Sequence, residues 1–222
     1  MTRSRMMKPD EIESFFRTLS NANPHPATEL QYSSAFELLI AVLLSAQATD
    51  LGVNKATRRL FAVAPNPKAM LALGIEGIES HIQTIGLYRA KARHAHQTCQ
   101  ILIDQHQGQV PRSREALQAL PGVGRKTANV VLNVVFGEPT IAVDTHLFRL
   151  ANRTRMAPGK TPLAVEQKLL KRIPIAYRQH AHHWLILHGR YTCLARTPQC
   201  WNCVILDLCE FRKKTPAPSK AI

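Results

Sequence analysis

The chain has 222 residues, 45% of them hydrophobic, and a formal net charge of +14. This composition is typical of a globular protein, and no apolar run approaches the roughly 20 residues of a membrane-spanning helix. Arg3, Arg5 and Lys8 are not followed by an apolar segment, so we expect no secretory signal. The charge indicates a polyanionic partner: nucleic acid first, and an anionic membrane surface second, although no long basic amphipathic helix supports the membrane.

Hydrophobic periodicity predicts a series of helices in the first half of the chain. They cover residues 9–19, 36–46, 51–61, 68–73, 75–82 and 88–106. Ser34 and Glu37 have the spacing of a capping box before the second of these helices. The buried stripe of the long 88–106 helix is predicted to consist of Ala92, Ala95, Cys99, Leu102 and Ile103, with Cys99 as a core thiol.

A helix, a Gly-x-Gly turn and a second helix follow. Residues 111–120 are predicted to form a short helix capped by Ser113, and residues 127–136 a second helix that stops at Gly137. The turn at Gly122 to Gly124 would let a foreign backbone approach, and the amides of the second helix would suit a phosphate oxygen. Lys126 stands at the mouth of the turn; the alternative is a tight turn with a solvated surface lysine.

The last third of the chain is also predicted to be helical. Asp144 opens a helix to residue 153, Thr161 caps a helix over residues 163–172, and residues 175–188 form a helix ended by Gly189. Residues 215–220 read as a frayed tail. No segment of useful length alternates with a period of two, so we predict an all-α fold of roughly ten helices.

Four of the five cysteines lie in the last thirty residues with the spacing C-x6-C-x2-C-x5-C: Cys193, Cys200, Cys203 and Cys209. This clustering argues against a disulfide framework and favours a metal or cluster site in a reducing compartment. Four thiolates can hold tetrahedral zinc or a [4Fe–4S] cluster, and the residues alone leave both open.

Two segments carry a resemblance to a known family. Residues 120–129, Leu-Pro-Gly-Val-Gly-Arg-Lys-Thr-Ala-Asn, and residues 139–146, Pro-Thr-Ile-Ala-Val-Asp-Thr-His, resemble the helix-hairpin-helix DNA glycosylases of base excision repair, specifically the endonuclease III family. The resemblance runs from about residue 6 to about residue 211. It implies a bifunctional DNA N-glycosylase and AP lyase that removes oxidised pyrimidines and cleaves the strand 3′ to the abasic site by β-elimination. Lys126 would be the Schiff-base nucleophile, Asp144 its carboxylate partner, and the four cysteines the ligands of one [4Fe–4S] cluster.

The resemblance also implies a layout. Residues 28–139 would form a six-helix barrel-like domain with the helix-hairpin-helix at about 113–136, and residues 1–27 with 140–212 an iron–sulfur cluster domain. A DNA-binding cleft would lie between them, and residues 213–222 would be a flexible tail. The expected partner is double-stranded DNA containing oxidised pyrimidines or abasic sites, with no membrane. We expect a cytoplasmic, nucleoid-associated monomer.

The resemblance assigns a set of residues to DNA binding: Gln47, Leu87, Gly122, Val123, Gly124, Arg125, Thr127, His146 and Arg196. Gln47 and Leu87 would sit on loops that enter the duplex when the damaged base is extruded. Thr197 and Gln199 stand where lysine or arginine is common in the family. The loop between the first two cysteines is therefore expected to contribute less to phosphate binding than in the family at large.

Two other functions stay open at this point: a monofunctional DNA glycosylase of the same fold, and a non-catalytic helix-hairpin-helix DNA-binding protein. The pairing of Lys126 with Asp144 opposes both, although Asp144 could also serve only to cap its helix. Four histidines are interpreted as hydrogen-bonded or surface groups, because no cysteine or carboxylate spacing marks a zinc site with them: His146, His182, His183 and His188.

Overall fold

The computed structural model describes residues 5–218. Over this range the chain is all-α, as predicted, with no β-strand. The helices in chain order are α1 Pro9–Ala22, α2 Ala35–Leu44, α3 Asp50–Val63, α4 Pro67–Ile82, α5 Tyr88–His106, α6 Arg114–Gln118, α7 Arg125–Phe136, α8 Thr145–Arg153, α9 Pro162–Arg172 and α10 Arg178–Tyr191. Short 3₁₀ turns cover Ile175–Tyr177, Cys200–Asn202 and Leu206–Leu208.

Thr28–Glu138 forms one compact unit, which contains α2 to α7. Its central element is α2, in which every residue from Phe36 to Leu44 is buried. A helix that is apolar on all sides is stable only when other elements cover it, and here α3, α5 and α7 pack against it. The predicted helix over residues 36–46 is confirmed, although it ends two residues earlier.

The predicted capping box before α2 is only half formed. The Ser34 side chain accepts a hydrogen bond from the Glu37 amide at 3.1 Å, as expected. The Glu37 carboxylate, however, accepts from the amide and hydroxyl of Ser33 at 2.6 and 2.7 Å. The acidic side chain reaches past the N-cap residue because Ser33 offers it two donors.

The predicted buried face of the long helix α5 was partly wrong. Ala92, Ala95, Cys99 and Leu102 are buried as predicted, but Ile103 is 37% exposed and Lys91 is only 4% exposed. Lys91, Ala95, Thr98 and Leu102 follow the i, i+4, i+7, i+11 spacing of one helix face, on which Ile103 does not lie. The packing of the whole helix therefore places a lysine in the core and an isoleucine at the surface.

The second unit consists of Met1–Ala27 and Pro139–Ile222, whose described residues include α1 and α8 to α10. The predicted stripe of α1 is buried: Ile12, Phe15, Phe16 and Leu19. The Phe16 ring stacks on Tyr177 with centroids 5.7 Å apart. The Trp184 indole donates a hydrogen bond to the carbonyl of Asn23 at 2.8 Å, which ties the end of α1 to α10.

Gly189 does not end a helix, contrary to prediction. The predicted 175–188 helix is a 3₁₀ turn followed by α10, which continues through Gly189 to Tyr191. A Cβ at Gly189 would lie 3.0 to 3.2 Å from the Cβ, O and C atoms of His146 in α8. Glycine is needed here because the backbones of α8 and α10 approach closely, not because the chain turns.

The start of the predicted tail is attached to the rest of its unit. The Lys214 ammonium donates a hydrogen bond to the carbonyl of Leu206 at 3.0 Å, and the Thr215 hydroxyl donates one to the carbonyl of Pro198. Residues 219–222 of this tail lie outside the described residues. No helix among the described residues is long and apolar enough to cross a membrane.

Candidate functional site

The helix-hairpin-helix is formed by α6, the turn that follows it, and α7. Gly122 has a positive φ of 75°, whereas Gly124 is extended and is the N-cap of α7. The second helix begins at Arg125, two residues earlier than predicted, so Lys126 lies within its first turn. An extended glycine serves as an N-cap, and Arg and Lys are good helix formers, which explains the earlier start.

The turn rests on α5 in the same unit. A Cβ at Gly122 would lie 2.7 Å from Nδ1 of His94, so only glycine fits against that ring. The Thr98 hydroxyl donates to the carbonyl of Pro121 at 3.4 Å. The Arg114 Nε donates to Oδ1 of the fully buried Asn129 at 2.9 Å, which joins α6 to α7. These contacts hold the turn in one shape before any ligand binds.

The surface of the turn suits an anion. Gly122, Gly124 and Lys126 are exposed, and the N-cap residue of α7, Gly124, has no side chain to cap the first-turn amides. Uncapped amides at a helix N-terminus, with the positive end of the helix dipole, attract a phosphate oxygen. Val123, which was also predicted to bind DNA, is only 5% exposed, so its side chain packs in the core, and its role in DNA binding stays a prediction.

Gln47 and Leu87 lie on neighbouring loops of this unit. Both are exposed and both have a left-handed backbone, with φ of 53° and 61°. A Cβ at Gly86 would lie 3.7 Å from the Gln47 carbonyl oxygen, so the two loops touch. A non-glycine residue in this region costs on the order of 1–3 kcal/mol, and such strain concentrates at functional sites. Leucine, 59% exposed in this conformation, presents an apolar side chain to solvent.

Asp144 belongs to the other unit, where it is the N-cap of α8. Its Oδ1 accepts hydrogen bonds from the amides of His146 and Leu147 at 2.8 and 2.9 Å. The cap uses one carboxylate oxygen, so Oδ2 is not part of it. Asp144 is half-buried and lines a pocket together with Val143, Thr145, Phe148 and Pro162. The capping role weighed from the sequence is therefore confirmed, and it leaves room for a second role.

The four cysteines of the C-terminal motif line a single pocket. Among residues 5–218, no three His, Cys, Asp or Glu side chains are arranged to hold one metal ion. A tetrahedral zinc ion needs its sulfurs about 2.3 Å from one point, whereas the four cysteines of a [4Fe–4S] cluster bind around a larger body. Four thiols around one pocket are the donor set that such a cluster requires.

Comparison with known proteins agrees with this geometry. Residues 40–175 match the model of the HhH-GPD superfamily of base excision DNA repair proteins, and residues 193–209 match the iron–sulfur binding domain of endonuclease III. Endonuclease III of Escherichia coli (strain K12) is 62% identical over 209 residues, which cover 94% of this chain and 99% of that protein. The chain belongs to the endonuclease III family.

Further members of the endonuclease III family resemble the chain over the same length. The Haemophilus influenzae endonuclease III is 61% identical and covers 94% of this chain and 99% of its own. A solved structure of a trapped endonuclease III–DNA covalent intermediate, an estranged-adenine complex, matches with a TM-score of 0.86 and 46% identity, over 92% of this chain and 96% of that chain. The resemblance seen in the sequence is confirmed, as is the expectation of one [4Fe–4S] cluster.

The surroundings of the cysteines in this endonuclease III family member were only partly foreseen. Arg153 donates to the carbonyls of Leu194 and Ala195 at 2.6 and 2.7 Å, and its Nη1 lies 3.4 Å from the Cys193 sulfur. Arg149 donates to the Cys193 carbonyl at 2.9 Å. Sequence reasoning missed both arginines; their i, i+4 spacing on α8 was the available signal.

Burial raises the pKa of two thiols in this pocket. It raises the pKa of Cys203 to about 11, with a smaller contribution from the neighbouring thiols, and it also raises the pKa of Cys209. The Cys203 sulfur lies 3.5 Å from Nε2 of His188. Burial therefore disfavours bare thiolates at these two positions, and the positive charge of bound iron would favour them.

The predicted loop residues are at the surface, with Arg196 and Thr197 exposed and Gln199 half-buried. The interpretation of the four histidines as hydrogen-bonded or surface groups was only partly right, because His182, His183 and His188 are buried and Nδ1 of His183 has no hydrogen-bond partner among the described residues. His146 is half-buried, with its Nδ1 3.2 Å from Nη2 of Arg149. The described residues place no carboxylate with these histidines in a metal-binding arrangement.

Proposed function

We propose that this protein is a bifunctional DNA N-glycosylase and AP lyase of base excision repair. The observation that carries the proposal is Lys126, an exposed amine in the first turn of a helix whose N-cap residue is glycine, beside an exposed Gly-x-Gly turn. A phosphate held by the turn would bring the sugar of the same strand to the amine. Membership of the endonuclease III family supports this assignment.

The reaction begins with attack of the neutral Lys126 amine on C1′ of the damaged nucleotide. The bond between C1′ and the base breaks, the base leaves with a proton, and the sugar ring opens to give a Schiff base with Nζ. The Schiff base acidifies the C2′ proton; its loss expels the 3′ phosphate and cleaves the strand. Water then hydrolyses the Schiff base and regenerates the amine.

Asp144 is proposed as the carboxylate of this reaction. The oxygen that is not part of the helix cap would accept the proton of the attacking amine, or stabilise the positive charge that develops on the sugar. The cap itself contributes by holding the carboxylate in a fixed direction. Capping and catalysis are therefore compatible in one residue.

DNA recognition is proposed to use two features of the unit Thr28–Glu138: the helix-hairpin-helix, and the two loops that carry Gln47 and Leu87. The exposed backbone at Gly122 and Gly124, with Arg125 and Thr127 in the first turn of α7, would bind the phosphate chain. Leu87 and Gln47, on loops that touch, would fill the gap left when the damaged base is extruded. His146 and Arg196 are assigned to the same interface, and the cleft between the two domains stays a prediction.

The four cysteines are proposed as the ligands of the cluster. The segment from Cys193 to Cys209 contains only short 3₁₀ turns, so it has little regular structure of its own. The cluster supplies four iron–thiolate bonds that cross-link this segment, and metal binding of this kind contributes folding free energy. We propose that Met1–Ala27 and Pro139–Ile222 form the cluster domain and Thr28–Glu138 the helix-hairpin-helix domain.

The substrate is proposed to be duplex DNA with an oxidised pyrimidine or an abasic site, acted on by a monomer associated with the nucleoid. The test uses purified holoprotein and a panel of duplexes, each with one lesion, besides one with a pre-formed abasic site. Base release followed by strand incision is expected. Base release without incision would indicate a monofunctional glycosylase, and binding without either would indicate a non-catalytic protein.

A further inference from the structure

We propose that the basic run Arg212–Lys214 is a phosphate-binding site for duplex DNA, beside the loop of residues 193–200, here called the cluster loop. The proposal rests on the proposed function, because the ligand is the backbone of the same DNA. It concerns residues that follow the last cysteine, which the sequence had assigned to the end of the cluster domain and to the tail.

The charge of this region lies in the run and not in the cluster loop. Arg212, Lys213 and Lys214 are consecutive and exposed, whereas the cluster loop contains only one basic residue, Arg196. Glu210, the nearest carboxylate along the chain, is 3.1 Å from Arg5, which it shares with Glu11, so its charge is partly offset. Asp207, exposed and three residues further away, is the remaining acidic residue between positions 200 and 215.

The run is held against the cluster loop at both ends. Before it, the Phe211 ring lies under the Arg153 guanidinium, 4.7 Å from its carbon to the ring centroid. After it, the Thr215 hydroxyl donates to the carbonyl of Pro198, a residue of the cluster loop. Phe211, Lys214 and Pro198 also line the pocket of the four cysteines. Positive charge that the cluster loop lacks is therefore supplied by a segment bound to it.

This attachment favours binding. A charged segment that is already ordered loses less conformational entropy when it meets a phosphate chain than a free tail does. Lys214 donates to the Leu206 carbonyl at 3.0 Å and so helps to hold the run. Lys213, next to the anchored Lys214, is exposed, and no hydrogen bond or ion pair within residues 5–218 engages its ammonium. The geometry thus presents the Lys213 ammonium to a ligand in solvent, beside the exposed side chain of Arg212.

The experiment measures the salt dependence of binding. Holoprotein is titrated, by fluorescence anisotropy, with a duplex that carries a non-cleavable abasic-site analogue, across a series of salt concentrations. The variants are R212Q/K213Q, K213R, and K171Q as a matched control: Lys171 is an exposed lysine of the same unit, at the end of α9. Iron content and thermal unfolding of each variant establish that the cluster and the fold are intact.

Each phosphate contact contributes about 0.9 to the slope of log affinity against log salt. R212Q/K213Q should flatten the slope by about 2 and weaken binding by roughly tenfold per lost contact near 0.1 M salt. K213R should keep the wild-type slope, because it keeps the charge. K171Q should change the slope and the affinity little. A double variant that matches K171Q would overturn the proposal. The proposal would also be overturned, in favour of a membrane surface, if R212Q/K213Q lost binding to phosphatidylserine vesicles but kept the wild-type slope for DNA. Incision of abasic-site DNA by the wild-type protein is measured separately and tests the proposed function. That function can fail while the difference in salt slope between the variants persists.

Discussion

Asp144 offers a test in which two substitutions separate structure from chemistry. Asparagine is as good an N-cap as aspartate, and its amide oxygen can accept the same bonds from His146 and Leu147, now 2.8 and 2.9 Å long. Asp144→Asn should therefore change the free energy of unfolding by no more than roughly 0.5 kcal/mol. Asp144→Ala removes the cap and should cost about 1 kcal/mol, or 2–4 °C in the unfolding midpoint of a chain of this size.

The effect on catalysis should be alike in the two variants. Both lose the negative charge beside the sugar, and a lost electrostatic group of this kind costs about 3–4 kcal/mol of barrier, or a factor of 10² to 10³ in rate. Single-turnover release of an oxidised pyrimidine measures this loss, and thermal unfolding measures the cap. Slow Schiff-base formation on a pre-formed abasic site should survive in Asp144→Asn, because an open aldehyde needs less charge stabilisation. Near-normal base release by Asp144→Asn would refute the catalytic role and leave only the cap.

Three further predictions concern the buried residues. Gly189→Ala should destabilise the protein by about 1–2 kcal/mol, because a Cβ 3.0 to 3.2 Å from His146 atoms forces α8 and α10 apart; stabilisation in thermal unfolding, as expected of a glycine replaced in an open helix, would contradict this. Lys91→Met should stabilise by about 1–3 kcal/mol, since it removes a buried ammonium with no partner among the described residues; a lowered unfolding midpoint would show that the ammonium is paired. Burial lowers the pKa of His183 from 6.5 to about 4. The neutral imidazole therefore stabilises the fold fully above pH 6.5, and about 3 kcal/mol of the free energy of unfolding is lost as the pH falls toward 4. His183→Gln should show a weaker acid destabilisation, and an unchanged pH dependence would argue against a neutral buried imidazole.

Helices and their caps could be predicted from the sequence because these signals are local. The stripe of α1 is buried, and Ser113 and Thr161 accept hydrogen bonds from the amides of Ala116 and Ala164, as their positions predicted. Periodicity within one helix and a side-chain oxygen three residues before an amide do not depend on the rest of the chain.

Features that depend on tertiary partners could not be predicted. Gly189 has the composition of a helix stop, and only the backbone of His146 against it explains why glycine is required within a helix. The left-handed conformations of Gln47 and Leu87 have no signal in their residue types, since neither is glycine or asparagine. Lys91 was not included in the predicted stripe of its helix, because burial of a charged residue depends on the packing of the whole helix.

The candidate site divides in the same way. The Gly-x-Gly turn and the four cysteines were recognisable because their spacing is specific, but the choice between zinc and a cluster needed the family match. Arg149 and Arg153, which bind the backbone of residues 193–195, were missed because their partners are distant in sequence. Leu194, for example, lies 41 residues after Arg153.

Borohydride trapping tests the central claim, that Lys126 is the nucleophile. Reduction of a Schiff base converts it to a stable amine, so the wild-type protein should become covalently attached to abasic-site DNA. Lys126→Gln keeps most of the side chain without the amine; it should still bind DNA, since it removes one charge from a chain of net charge +14, but lose trapping and incision almost completely. Trapping of Lys126→Gln at the wild-type level would contradict the account and place the nucleophile elsewhere.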